Sequence, residues 1–397
     1  MAANLNQTPS AERPHIAFFG KRNAGKSSVV NAVTGQNLSI VSDFKGTTTD
    51  PVKKAMELLP LGPVVIIDTP GIDDEGTVGE MRIKRTRQIL NLTDIAILVV
   101  DSTIGIAKED NELIGVFTEK EIPYIIAYNK SDLAEIKTTK ENEICVSAVE
   151  GTNIDELKNK IATFIKKDSN SKKIISEFLD PEDIVVLVTP IDSSAPKGRM
   201  ILPQVQTIRD ILDESAICIV TQTEQLKTTL DSLKNPPKLV VTDSQVFGKV
   251  KQILPENMPL TSFSILFARY KGLLKSAING VKALDKLNDN DTVLICEGCT
   301  HHRQCEDIGT VKIPKWIREF TGKNIEFEFV SGGDFPENLE KYSLIVHCGG
   351  CMLNEREIRY RNKCASDSGI PITNYGTLIA HINGILERSI EVLGDNL

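Results

Sequence analysis

Between Gly20 and Ser28 the chain reads Gly-Lys-Arg-Asn-Ala-Gly-Lys-Ser-Ser, directly after the apolar run HIAFFG and at the start of the helix-like stretch KSSVVNAVTG. A Gly-x-x-x-x-Gly-Lys-Ser string at a strand-to-helix turn is a phosphate cradle. Its glycines let backbone N–H groups wrap the phosphates, Lys26 neutralises their oxygens, Ser27 can ligate Mg²⁺, and the helix that begins there adds the positive end of its dipole. The surroundings suit such a loop. From Pro14 to about Lys167 the runs HIAFFG, VVIIDTPG, IAILVVDS, PYIIAYNK and EICVSA alternate with amphipathic segments. These runs are continuously apolar, as strands buried on both faces of a parallel sheet are.

Four further motifs follow in order: Gly46-Thr47-Thr48-Thr49, Asp68-Thr69-Pro70-Gly71, Asn129-Lys130-Ser131-Asp132 and Ser147-Ala148. With the phosphate loop, this series resembles the Ras-like P-loop GTPases. The resemblance implies that Gly20, Asn23, Ala24, Gly25, Lys26, Ser27 and Ser28 hold the phosphates of GTP. Ser27, Thr48 and Asp68 would hold Mg²⁺, and the Gly71 N–H would meet the γ-phosphate. Lys26, Thr48, Asp68 and Gly71 are then the residues of hydrolysis, while Asn129, Lys130, Asp132, Ser147 and Ala148 bind guanine. A carboxylate at Asp132 accepts two hydrogen bonds from the N1–H and N2–H₂ edge of guanine, which adenine cannot supply. Two departures from the Ras pattern matter. Ile72 stands where Ras-type enzymes carry a water-orienting glutamine, so intrinsic hydrolysis is expected to be slow. Asn23, together with the run Gly46 to Asp50, resembles the potassium-dependent branch that includes the tRNA-modification GTPase MnmE. That implies a K⁺ ligated by Asn23 and hydrolysis stimulated by it. Asp73, Asp74 and Glu75 are read as solvated switch residues.

The chain has 397 residues, more than one core usually organises. Three domains are expected, all α/β: a mostly parallel P-loop GTPase domain over 1–167, then two smaller α/β domains over 174–264 and 265–397, with the polar run DSNSKK as the first linker. The central part offers the strands IVVLVTP, AICIVT and KLVVTD but no Gly-rich loop. The last part offers TVLICEGC, IEFEFVSG and SLIVHCGGC, and a single long helical pattern from Leu266 to Leu287 lies at its start. A formal charge of −8 argues against loose binding to nucleic acid, which rests on neutralising phosphates. The first residues carry no export signal and no later run is long enough to span a membrane, so a cytoplasmic protein is expected.

Six of the eight cysteines lie at or beyond Cys296. In a long chain without an export signal, grouped cysteines point to metal or redox chemistry rather than structural disulfides. Cys296, Cys299, His301, His302 and Cys305 follow one predicted strand, and His347, Cys348 and Cys351 follow another. Loops at the carboxyl ends of two strands can face each other across a crevice, which would bring Cys299, Cys348 and Cys351 to one metal. Spacing alone leaves zinc, an iron–sulfur cluster and unrelated buried thiols all open.

The Cys299-x-His301 pair, followed after 45 residues by His347-Cys348-x-x-Cys351, together with a potassium-type GTPase domain, resembles the HydF family, the GTPases of [FeFe]-hydrogenase maturation. The flanking runs IGTVKIPKW and VHCGGCMLN are similar as well. The resemblance spans the chain. It implies a central dimerisation domain and a homodimer, with a C-terminal [4Fe–4S] cluster on Cys299, Cys348 and Cys351 whose fourth ligand comes from His301, His347 or Glu297. It also implies a scaffold that receives a diiron precursor from radical-SAM maturases and delivers it to the apo-hydrogenase, with GTP turnover as a switch. Cys296 and Cys305 fall outside the motif and are expected to compete for iron in vitro. Cys145, Cys218 and Cys364 are expected to be structural, and His302 and His381 to be packing or surface residues. An RNA-directed GTPase would share only the first half and should show a basic, aromatic surface, whereas only 5% of these residues are aromatic. A regulatory GTPase with structural zinc would share the thiols.

Overall fold

The computed structural model describes residues 10–36, 52–69, 89–134, 136–138, 140–168, 172–190, 200–298, 307–336 and 338–394. Thr48, Gly71, Ile72, Asp73, Asp74, Glu75, Cys299, His301, His302 and Cys305 lie outside them. The chain forms two compact units, residues 1–171 and 172–397.

In the first unit the apolar runs become β1 (His15–Gly20), β3 (Gly62–Asp68), β4 (Ile95–Asp101), β5 (Tyr124–Asn129) and β6 (Glu143–Cys145). The sheet order is β2-β3-β1-β4-β5-β6, parallel except for β2 (Val52–Leu58), which runs antiparallel to β3 at one edge. β2 was not legible as a strand: its sequence VKKAMEL is polar at Lys53, Lys54 and Glu57, as suits an edge that must not recruit another strand. Along β1 the alternation sorts the core. Ile16 and Phe18 point to the face covered by α1 (Lys26–Thr34) and α3 (Ile154–Asp168), whereas Ala17 and Phe19 point to the face that carries Leu113 and Phe117 of α2 (Lys108–Glu119). Each large side chain so buried contributes roughly 1.5–3 kcal/mol.

The second unit holds two four-stranded, all-parallel sheets. The first contains β7 (Ile184–Val188), β8 (Ile217–Thr221), β9 (Leu239–Thr242) and β10 (Leu260–Ser262) in the order β10-β9-β7-β8. The second contains β11 (Thr292–Glu297), β12 (Glu326–Ser331), β13 (Leu344–His347) and β14 (Ile372–Asn374) in the order β12-β11-β13-β14. The two sheets have the same topology, with the reversal of strand order between the first and third strands of each. Helices α4 (Leu202–Asp213), α5 (Leu226–Asp231) and α6 (Phe247–Ile253) follow strands of the first sheet, and α9 (Ile313–Thr321), α10 (Glu355–Asp367) and α11 (Tyr375–Ile382) strands of the second, while the last helix, α12 (Leu386–Glu391), returns to pack against β10 of the first. One continuous hydrophobic cluster, from Ile174 to Leu393, serves both sheets.

The long helix expected from Leu266 to Leu287 is broken. α7 (Phe263–Tyr270) starts at Ser262, whose hydroxyl accepts the Ile265 N–H, and stops where Gly272 takes a φ of +75°. The Gly272 and Leu273 N–H groups turn back to Arg269 and Ala268, closing a left-handed cap before α8 (Leu274–Val281) resumes. Apolar periodicity continues through the break, which is why the sequence reads as one helix.

Candidate functional site

The phosphate loop turns out of β1 between Gly20 and the start of α1, as its sequence requires. Gly25 has φ +82°, and a Cβ there would lie 2.2 Å from the Asn129 side-chain nitrogen, so glycine is demanded by both backbone and space. Asn129 is buried at the end of β5 and ties two motifs together: its Nδ2 donates to the Ala24 carbonyl (3.0 Å) and its Oδ1 accepts from the Ala148 N–H (3.1 Å). Lys26 is paired with Asp68 at the end of β3, and the Ser27 hydroxyl lies 3.4 Å from the other Asp68 oxygen. A hydroxyl and a carboxylate at that separation are an oxygen set suited to Mg²⁺. Asn23 is exposed on the loop with φ +67°. Ser28 is exposed on the first turn of α1, and Asp132 is exposed in the turn after β5. Ser147 is buried, its N–H bonded to the Thr152 carbonyl and its hydroxyl accepting from the Glu150 N–H.

One residue of this site escaped the sequence reading. Asp101, at the end of β4, binds Lys130 at 2.5 Å and also accepts from the Thr103 N–H and hydroxyl. Burial raises its carboxyl, but the Lys130 and Thr103 hydrogen bonds outweigh that and hold it below the usual range. Its signal was only its place, a carboxylate closing an apolar strand at the ligand edge.

In the second unit β11 and β13 are neighbours, with Cys296 opposite His347 in register. The strand order reverses between these two strands, so the loops that leave them open on the crevice where α/β sheets bind ligands. The Cys348 sulfur accepts the Gly298 N–H from the first loop (3.0 Å) and the Gly350 N–H from its own (3.3 Å). Two amides aimed at one sulfur stabilise a thiolate, which a thiolate-held zinc or iron–sulfur group requires. Without metal, burial first and then the neighbouring Cys351 push the Cys348 thiol up to about 11. Among the described residues no three His, Cys, Asp or Glu side chains gather as a metal cage. Cys348 and Cys351 are the two motif cysteines within those residues.

The remaining candidates separate by geometry. His347 is buried with both ring nitrogens engaged: Nδ1 donates to the Cys348 carbonyl (2.8 Å), and Nε2 accepts from Arg361 Nη1 (3.1 Å). Burial, then the Arg361 charge, push His347 down to about 3. As placed it is a neutral brace behind the loop and offers no nitrogen to a metal. Glu297 is buried at the end of β11, with the Tyr375 hydroxyl donating to its Oε1 at 3.4 Å. Burial, followed by negative charge from Cys348 and Glu297, raises Tyr375 well above its ordinary range, so the hydroxyl keeps its proton. Cys296 differs from expectation. It is fully buried in β11, and burial pushes its thiol up to about 12, so it is a core side chain and not a competing ligand. His381 pairs with Asp285 at 3.1 Å near the surface, and Cys145 donates to the Ile136 carbonyl.

Two cations in the second unit carry no recognisable signal in the sequence. Arg361 is entirely buried: Nε donates to Glu357 (2.8 Å), Nη1 to His347 and Nη2 to the Gly332 carbonyl (2.6 Å). Lys271, buried at the end of α7, donates to the carbonyls of Gly350 and Leu353.

Comparison with known proteins matches three separate stretches of the chain. Residues 15–130 match a family model described as a 50S ribosome-binding GTPase. Residues 174–272 match one described as the hydrogen maturase F dimerization domain, and residues 275–392 one described as the hydrogen maturase F tetramerization domain. The last two together span more than half of the chain. GTPase Der of Kosmotoga olearia is 33% identical over 185 residues, 41% of this chain and 42% of that protein. The tRNA modification GTPase MnmE of Acetivibrio thermocellus is 34% identical over 153 residues, 36% of this chain and 33% of that protein. The chain thus spans less than half the length of these curated relatives. A solved structure described as a probable GTP-binding protein engB is 26% identical and covers 38% of this chain and 99% of its own, with a TM-score of 0.32. Among the described residues no helix is long and apolar enough to cross a membrane.

Proposed function

Because the chain belongs to the hydrogen maturase F family, we propose that it is a GTP-hydrolysing scaffold of [FeFe]-hydrogenase maturation, which binds a [4Fe–4S] cluster and delivers a diiron precursor to the apo-hydrogenase. The observation that carries this reading is the Cys348 sulfur in the crevice between β11 and β13, met by amides from both loops. Cys348 and Cys351 would hold the cluster with Cys299. Of the candidate fourth ligands His347 is disfavoured by its engaged nitrogens, which leaves Glu297, on the strand that leads into the Cys299 loop, and His301. The cluster would supply an iron centre at which a further metal fragment can be held and released. The chain's part is to fix the sulfurs, keep water from them, and keep Tyr375 protonated as a donor to Glu297.

In the first unit the loop amides and Lys26 would bind the phosphates of GTP, with Mg²⁺ on Ser27 and Asp68 and guanine on Asp132. Lys26 then exchanges its Asp68 partner for phosphate oxygens. Asn23 would ligate K⁺, and slow, K⁺-stimulated hydrolysis would serve as a switch for docking. Equal rates in KCl and NaCl would remove the potassium assignment. A role on RNA is not favoured, because relatives named for RNA or the ribosome match the first unit and leave the cysteine-bearing residues to the hydrogen maturase models.

A homodimer is supported by β8, which among the described residues is an edge strand of the first sheet in the second unit. On β8, Ile217 is 46% and Val220 45% exposed, and Leu212 of α4 beside it is 53% exposed. The central part, residues 174–264, is proposed as the dimerising segment, with residues 265–397 carrying the cluster. Radical-SAM maturases and the apo-hydrogenase are the proposed partners, and the cytoplasm the proposed location.

The test is anaerobic reconstitution with iron and sulfide, followed by metal analysis and EPR of the reduced protein, for wild type and a Cys299→Ala/Cys348→Ala/Cys351→Ala variant. A four-iron signal in wild type that vanishes in the variant is expected. Tightly bound zinc and no reducible cluster would overturn the reading.

A further inference from the structure

Lys271 stands out because it joins two parts of the second unit. It caps α7, within the residues that match the dimerization model, yet its ammonium ends in the cysteine loop of the next part, bonded to the Gly350 carbonyl at 2.6 Å and to that of Leu353. Those two carbonyls bracket Cys351. The other end of α7 is equally fixed. The Asn374 side chain donates to the Ser264 carbonyl at 2.8 Å, and a Cβ on Gly376 would lie 2.7 Å from that of Ser264, so α7 is packed hard against the start of α11. A rigid helix therefore delivers one cation to one loop.

Only 4% of Lys271 is exposed. Desolvating an ammonium is costly unless it is hydrogen-bonded, and two carbonyls of a tight turn offset that cost only while the turn keeps its shape. The lysine and the turn thus hold each other in place. A positive charge in a poorly screened interior stabilises an anionic centre more strongly the more negative it becomes.

We propose that Lys271 is a positioning residue of the metal loop, which sets the direction of the Cys351 sulfur through the Gly350 and Leu353 carbonyls and supplies a fixed positive charge that favours the reduced form of a cluster bound there. This rests on the reading that Cys348 and Cys351 are cluster ligands. It adds that the segment matching the dimerization model determines how easily the cluster is reduced.

The experiment compares full-length wild type, Lys271→Gln and Lys271→Arg after anaerobic reconstitution, by iron content, EPR of the reduced state and redox titration. Lys271→Gln keeps a donor but loses the charge, so its midpoint potential is expected to fall below that of wild type with a changed EPR line shape. Lys271→Arg keeps the charge and is expected to lie between the two. A wild-type potential and line shape in Lys271→Gln would overturn the proposal. Should Lys271→Gln fail to fold by circular dichroism, Lys271→Arg decides, because the larger guanidinium cannot occupy the same two-carbonyl seat unchanged. An EPR signal identical to wild type in that variant would equally overturn it. Absence of a reducible cluster from wild type itself would sink the cluster reading instead, so the two failures are distinct.

Discussion

Replacing Arg361 with methionine tests whether the fully buried guanidinium behind the cysteine loop holds the second unit together. Arg361 has no exposed surface and Glu357, one helical turn before it, is 2% exposed, so solvent screens neither charge. Methionine fills similar volume but leaves Glu357 as a buried carboxylate without its partner, and takes a donor from His347 Nε2 and from the Gly332 carbonyl. Breaking a buried ion pair from one side costs roughly 3–5 kcal/mol. Gly332 can recover water because it is only half-buried, so a total near 4 kcal/mol is expected. With a urea slope of about 3 kcal/mol/M for a unit this large, the midpoint should fall by roughly 1.3 M. The assay is built into the chain. Its single tryptophan, Trp316, lies on α9 and packs against the core of the second unit, so its fluorescence reports this unit selectively. Adding Glu357→Leu to Arg361→Met removes the stranded charge and should recover most of the loss, leaving about 1–2 kcal/mol for the unmet His347 nitrogen. A single variant that loses less than about 1 kcal/mol, or a double variant no more stable than the single, would refute the argument.

Gly25→Ala forces a β-carbon against Asn129 in a left-handed loop, a strain of about 1–2 kcal/mol. GTP affinity measured by calorimetry should therefore fall by about fivefold to thirtyfold, and an unchanged Kd would contradict the Asn129 brace. Val220→Lys places a charge on the exposed edge of β8 and should shift the protein toward monomer in light scattering; an intact dimer would move the interface elsewhere. Cys296 should resist iodoacetamide in the native protein and react only after denaturation, read by mass spectrometry. Its titration has a definite sign. The unfolded thiol ionises near pH 8.5 while the native one holds its proton to about 12, so the unfolded chain binds fewer protons between those values. The second unit must then lose stability as pH rises above about 8.5, and a urea midpoint that rose from pH 8 to 10 would show the burial argument to be wrong.

The nucleotide site was legible because each of its parts is local: a loop, a strand end, a turn, each with its own residue string. The longer strands buried on both faces were legible, whereas β2 was missed because a polar edge strand looks like loop, and β10 and β14, buried but only three residues long, are too short to show a pattern. The break in the predicted long helix was hidden because one glycine interrupts the backbone without interrupting the apolar periodicity around Gly272. In the cysteine region the string gave neighbours without directions. His347 reads as a ligand beside Cys348, and only its two nitrogen partners, one of them 14 residues along on α10, identify it as a brace. Lys271 meets Gly350 and Leu353 across some eighty positions of chain, a pairing that no local pattern encodes.

The second unit is also indivisible at its core. Two family models meet near residue 272, but the apolar cluster runs through that point, and Phe263, Ile265, Leu266 and Phe267 pack into a body completed by residues as distant as Leu393. A splice at this junction would turn four large buried side chains out to water. The two halves therefore stand as one body, and a chimera that kept the cysteine loop but replaced α7 would lose the Lys271 contact that props it.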